Sequence, residues 1–243
     1  MPSISTLMTL FLVALQAGGA ARTPAGTPTA RRQPAAPYTL ELEVNPTATF
    51  PALKKFGTID VTLYPGGVRA ESLILHAFSK TGSPEMTVMA PLSRLYTEVP
   101  LAQARNLFLN LTNSDDEIMP GLGEFPIDSK VLIGKVRDIP ARRYRVVLGD
   151  NSWVDVWTTT VIPDNPQFER LQMELVSAIS RPAAMLVRKI PGTSIYIELN
   201  TQHYKKVPVL RLKSLTRSKQ GETEALQRGR FYLRAPMVDM LWK

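Results

Sequence analysis

The sequence predicts an α+β protein that is mainly antiparallel β. Three observations predict it: runs of alternating apolar and polar residues, turn residues between those runs at hairpin spacing, and two stretches with apolar residues at helical spacing. The chain has 243 residues, room for one sizeable core once an export signal is removed.

The first twenty residues carry an apolar run from Leu7 to Leu15 that ends in Ala17, Gly18, Gly19 and Ala20. The run is too short to span a bilayer, and the small residues offer a peptidase a cut after Ala20, so residues 1–20 read as a signal peptide. A periplasmic or secreted location follows, with no transmembrane anchor in the mature chain. Residues 21–37, rich in Ala, Pro, Thr and Arg, hold too little apolar material to repay the entropy of ordering and read as a disordered linker. Residues 38–243 then read as a single β-rich domain.

Leu40, Leu42 and Val44 alternate with Thr39, Glu41 and Glu43, and Ile59, Val61 and Leu63 alternate with Thr58, Asp60 and Thr62. Both are half-buried strands by their period of two. Pro65, Gly66 and Gly67 make a turn, and Val68 to Phe78 reads as one long returning strand, so Thr58 to Phe78 forms a hairpin. Shorter strands are expected at Glu85 to Ala90 and Ser93 to Thr97.

After Pro100, Leu101, Ala104, Phe108 and Leu111 fall on one helical face. Ser114, Asp115, Asp116 and Glu117 form an acidic loop without the ligand spacing of a calcium site. Lys130 to Val136, Arg143 to Leu148 and Trp153 to Thr159 read as three strands, the last two joined by a tight turn at residues 149–152. Asn165 and Pro166 suit the cap and first position of a second helix, with Phe168, Leu171, Leu175 and Ile179 on one face. Met185 to Ile190 and Thr193 to Leu199 flank Pro191 and Gly192 as a further hairpin. Val207 to Arg217 is a strand, and Arg230 to Lys243 is apolar enough to dock.

Composition removes several chemistries. The absence of cysteine excludes disulfides, thiolate nucleophiles and Cys-ligated zinc. Only two histidines occur, His76 and His203, neither with a helical zinc partner, and no G-x-S-x-G or H-E-x-x-H is present. Asp60, Asp155 and Glu198 are carboxylates that could pair across strands, but no catalytic site, metal site or cofactor is indicated. The net charge of +8 favours an anionic envelope surface as partner. Its Lys and Arg residues are spread along the chain without a nucleic-acid-binding signature, so nucleic acid is not expected.

The second half, with IGKVRDIPARRYRV leading into VDVWTTT, a helix, IPGTSIYIEL and VPVLRLKSLTR, resembles a family of exported bacterial proteins. These are themselves similar to the half-barrel carriers of the LolA and LolB type. GVRAE and LSRLYTEV fit the pair of strands before the first helix of that pattern. The resemblance implies a curved sheet or half-barrel with two covering helices, whose concavity holds acyl chains in the carriers. A lipid or other apolar ligand is the partner it implies, with Leu73 or Ile74, Tyr144, Trp157, Ile195 and Ile197 as candidate lining positions. Trp153 and Trp157 share one strand face, opposite Val154 and Val156, and are expected either to meet the helix starting at Pro166 or to face a cavity. The alternative is a structural or interaction protein of the envelope with no ligand cavity.

Overall fold

The computed structural model describes residues 37–44, 47, 57–73, 75–104, 106, 126–149, 151–177, 189–201 and 205–236. The expected signal peptide, most of the linker, the acidic loop, Phe108, Leu111, Ile179 and His203 lie outside these residues, as does the side chain of Leu175.

Among the described residues, twelve strands form one mostly antiparallel sheet that does not close. They are β1 (Tyr38–Val44), β2 (Thr58–Tyr64), β3 (Gly67–Glu71), β4 (His76–Lys80), β5 (Glu85–Ala90) and β6 (Leu95–Pro100), followed by β7 (Leu132–Val136), β8 (Ile139–Gly149), β9 (Ser152–Thr159), β10 (Thr193–Asn200), β11 (Val207–Arg217) and β12 (Leu233–Arg234). Their order in space is β12-β6-β5-β4-β3-β2-β1-β11-β10-β9-β8-β7. Among the described strands only the contact of β12 with β6 is parallel. Because β1 pairs with both β2 and β11, the N-terminal and C-terminal halves share one sheet.

Cross-strand partners share a face. Leu40 faces Val61 and Leu215, Leu42 faces Leu212, and Ile197 lies between Leu210 and Val156. This core face carries the largest apolar cluster, joined by Ile162 and Ile190 from the connections. Bulges at Glu41/Leu42, Ile197/Glu198 and Ser194/Tyr196 bend the strands and curve the sheet.

Two insertions cover that face. The connection from β6 to β7 joins strands near opposite edges of the sheet. At its start, Leu101 in a short 3-10 turn (Leu101–Gln103) and Ala104 are fully buried against Met86, Val88 and Val99. At its end, Ile127 packs on the larger cluster. The second insertion lies between the neighbours β9 and β10 and contains α1 (Pro166–Ser177). Phe168 and Met173 pack on the larger cluster and Leu171 on the smaller, so α1 straddles the two.

The expected Asn165 cap is present: its Oδ1 accepts the Phe168 N–H at 2.9 Å. Its Nδ2 also donates to the Tyr64 and Gly67 carbonyls at 2.9 and 3.0 Å, which pins the helix start to the end of the β2–β3 hairpin. Gln167 donates to Ser79 Oγ at 2.6 Å and to the Ser83 carbonyl at 3.2 Å, adding the β4–β5 turn to the same anchor.

A short helix, α2 (Glu222–Ala225), lies on the opposite, outer face. Ala225 and Leu226 bury Tyr64, Phe78, Met89 and Tyr96 there, with Tyr232 alongside. Glycine at position 67 permits this docking, because a Cβ there would lie 2.4 Å from the Ser79 carbonyl oxygen and 2.8 Å from Leu226 Cδ1. Arg69 ties the strap down by donating to the Ala225 carbonyl at 2.7 Å.

Several expectations are corrected. Val68 to Phe78 is two strands, because Ser72 closes a turn on Leu75 with its backbone N–H and hydroxyl. The strand expected at Ser93 to Thr97 runs from Leu95 to Pro100. The strand expected at Met185 to Ile190 lies outside the described residues up to position 188, Lys189 is helical, and the neighbours of β10 are β9 and β11. Of the two expected covering helices, α1 covers the core face, whereas the described residues after Pro100 give only a short turn. The second described helix, α2, sits on the outer face.

Candidate functional site

The five described candidate lining residues fall in three places. Tyr144, Ile195 and Ile197 come together on the core face, where both isoleucines are 0 % exposed. Leu73 sits in the β3–β4 turn and is 82 % exposed. Ile74 lies outside the described residues. Trp157 is on the outer face, since it pairs with Arg143 and Tyr196 while its neighbour Val156 pairs with Tyr144 and Ile197. Of the two expectations for the tryptophans, cover by α1 is not met, because strand alternation puts them on the side away from it, and Trp157 instead borders an open concavity.

On that outer face the rows of β8, β9 and β10 assemble a polar and aromatic site. Arg145 faces Asp155, which faces Glu198; one residue pair along, Arg143 faces Trp157, which faces Tyr196. Arg145 donates from Nε and Nη2 to the two oxygens of Asp155, each at 2.8 Å, and its guanidinium carbon lies 4.5 Å from the Trp153 ring centre. Hydrogen bonding to Asp155 holds Arg145 above its usual value. Arg143 Nη1 lies 3.5 Å from Asp155 Oδ2. These contacts engage Asp155 as an ion-pair partner, while Glu198 accepts the Tyr196 O–H at 3.0 Å.

Trp157 lies over the edge strand at Gly134, where a Cβ would come within 3.0 Å of the indole ring. Beyond Gly134 the β7–β8 turn folds across the outer face, and Arg137 donates to the Lys213 carbonyl of β11, two strands past β9. A concavity of about 310 Å³ remains, lined by Lys135, Val136 and Arg143 on one side and Asp155, Trp157, Tyr196 and Glu198 on the other.

Burial, and then the bond to Glu198, push the Tyr196 phenol up to about 12 from its ordinary 10.0. The fold thus favours the neutral phenol. This stabilisation is complete below the ordinary value and is lost as pH rises through the folded one. An ultraviolet titration of Glu198→Gln is expected to show this phenol titrating lower than in the parent, yet still above the ordinary value because burial is the larger cause. An unchanged titration curve would remove Glu198 from the account.

Asp60 lies between Glu41 and Glu71 on neighbouring strands. Glu41 is matched by Lys213 at 2.8 Å, and Glu71 by Arg69 at 2.7 Å and His76 at 3.4 Å. Burial, then the like charges of Glu41 and Glu71, push the Asp60 carboxyl above its ordinary 3.8. A raised carboxyl favours the fold below that ordinary value, and the contribution disappears as pH rises through the folded value. Asp60→Asn is therefore expected to raise the unfolding free energy from urea titration at neutral pH by less than about 1 kcal/mol, Asp60 being exposed. The gain should vanish in acid; a loss of stability at neutral pH would contradict the assignment.

Reasoning from sequence passed over Gly134, Arg143, Arg145 and Tyr196. The signal was present in the alternation Arg143-x-Arg145 opposite Trp153-x-Asp155-x-Trp157, whose charges match only once the β8–β9 register is known. Among the described residues no group of three or more His, Asp or Glu is placed to hold a metal ion. No protein-family model matches the chain, and no curated protein matches it. Among solved structures the chain is similar to an uncharacterized conserved protein from Thermus thermophilus, at 8 % identity and a TM-score of 0.44, covering 82 % of this chain and 91 % of that one.

Proposed function

We propose that the chain is an exported envelope protein of the half-barrel carrier type. It shelters an apolar ligand, such as a lipid or acyl chain, between the core face of its sheet and the insertions that cover it. The observation that carries this reading is the origin of the cover. Both described contributions, the 3-10 turn with Ala104 and the helix α1, come from insertions between strands, while the sheet itself stays open. Strand pairing does not depend on them, so the cover can lift without breaking the ladder, and the surface it uncovers is aliphatic and aromatic. The export signal read at residues 1–20 and the excess of basic residues fit work at an anionic envelope surface. Complete burial of Ile195, Ile197 and Leu199 favours the second reading, an envelope interaction protein whose core face is filled by its own side chains.

Native mass spectrometry of the mature protein from its own host, together with titration of a fluorescent fatty acid, separates the two. The carrier reading expects a retained lipid mass and saturable binding that Leu73→Ala, at the exposed turn, leaves unchanged. Absence of both a retained lipid and saturable binding selects the filled core.

A further inference from the structure

We infer that the outer-face concavity beside Trp157 is a binding site for a sugar ring, separate from the apolar face and independent of any ligand held there. Its volume of about 310 Å³ falls at the lower end of small-molecule sites. Its composition selects the ligand. Lys135 and Arg143 are balanced by Asp155 and Glu198, so the lining favours neither a strong anion nor a cation. Lys135 and Arg143 offer N–H donors beside the Glu198 carboxylate acceptor, the pairing that a row of hydroxyl groups satisfies.

Trp157 supplies an aromatic surface for the C–H face of such a ring. Its indole is seated against Gly134, where a side chain would clash, so the platform is held in place before any ligand arrives. Tyr196 O–H already bonds Glu198, fixing one acceptor at the rim of the site. Arg143 is held less completely than Arg145: Nη1 is 3.5 Å from Asp155 and Nε has no hydrogen-bond partner. The guanidinium of Arg143 can therefore turn toward a hydroxyl without breaking a short ion pair, whereas Arg145 and Asp155 form the fixed floor. The β7–β8 turn, tied to β11 through Arg137, holds Lys135 and Val136 beside the opening.

The sugar could belong to a soluble glycan or to a glycolipid headgroup. The test titrates the mature protein by calorimetry with cellotriose and chitotriose. It also measures co-sedimentation with phosphatidylcholine vesicles with and without a glucosyl diacylglycerol. Saturable binding of either trisaccharide, or sedimentation that requires the glycolipid, supports the site, and the responding arm identifies the source. Trp157→Ala and the conservative Glu198→Gln are each expected to weaken that binding roughly tenfold or more while leaving fatty-acid binding on the other face unchanged. Glu198→Gln keeps the shape of the site should the tryptophan variant fail to fold. Failure of every sugar-bearing probe to bind, or full binding by a folded variant, overturns the assignment. Equal sedimentation with both vesicle types does so as well if neither trisaccharide binds.

Discussion

Asn165→Ala is expected to destabilise the protein by about 2–4 kcal/mol, although it removes only one polar side chain. Asn165 performs two tasks that usually fall to separate residues. Its Oδ1 caps the first turn of α1 through the Phe168 N–H, and the loss of such a cap alone costs about 0.5–2 kcal/mol. Its Nδ2 satisfies the carbonyls of Tyr64 and Gly67, and a buried acceptor left without a donor costs about 1–3 kcal/mol. Asn165→Asp separates the tasks. Aspartate caps a helix as well as asparagine does, but here it would set a carboxylate against two carbonyl oxygens. It is therefore expected to be no better than alanine, the reverse of the order at an exposed cap. Urea unfolding of both variants decides it; an aspartate variant as stable as the parent would show that the clamp to the β2–β3 hairpin contributes nothing. The same anchor sets how α1 rides on the apolar face. Either variant should therefore exchange a fluorescent fatty acid faster than the parent if that face holds a ligand.

How much of this was legible in the sequence depends on which interactions determine each element. Strands β1, β5, β9 and β11 and the start of α1 are written in local periodicity and capping, and the structure places them where alternation and the Asn-Pro pair predict. The break between β3 and β4 was lost because Ser72 and Leu75 make a turn inside an otherwise strand-like run, without the glycine or proline that punctuates most turns. The hairpin expected at Pro191 and Gly192 had good turn chemistry. The partner of β10 is nevertheless β9, fixed by matching apolar faces 30 or more residues apart in sequence. α2 is a single turn without a periodic face, and its seat is made by the bare surface at Gly67 and by side chains from four strands, Tyr64, Phe78, Met89 and Tyr96. The same limit governed the sites. Alternation correctly set Trp157 opposite Val156, but which face the covering helix takes is decided by pairing across the whole sheet. Arg143, Arg145 and Tyr196 became neighbours of Asp155 and Glu198 only through that register.

Asp155→Ala is expected to cost about 2–4 kcal/mol. Asp155 is 5 % exposed and its two oxygens receive both N–H groups that Arg145 directs at it, with Arg143 at 3.5 Å. Removing one partner of a buried ion pair typically costs about 3–5 kcal/mol, because the other charge is left desolvated. The expected value is lower because the Arg145 and Arg143 side chains remain 28 % and 21 % exposed, so water recovers part of the loss. What matters is the sign of the double variant. If the cost comes from stranded cationic charge, then Arg145→Met combined with Asp155→Leu, which removes the pair and fills its space, should return most of the stability. Arg145 also stacks on Trp153, so the recovery should stop short of complete by the value of that contact, about 0.5–1 kcal/mol. A double variant as unstable as Asp155→Ala alone would mean that the pair contributes through its geometry, as the strut that holds the β8–β9–β10 rows in place. Sugar binding beside Trp157 should then be lost with it.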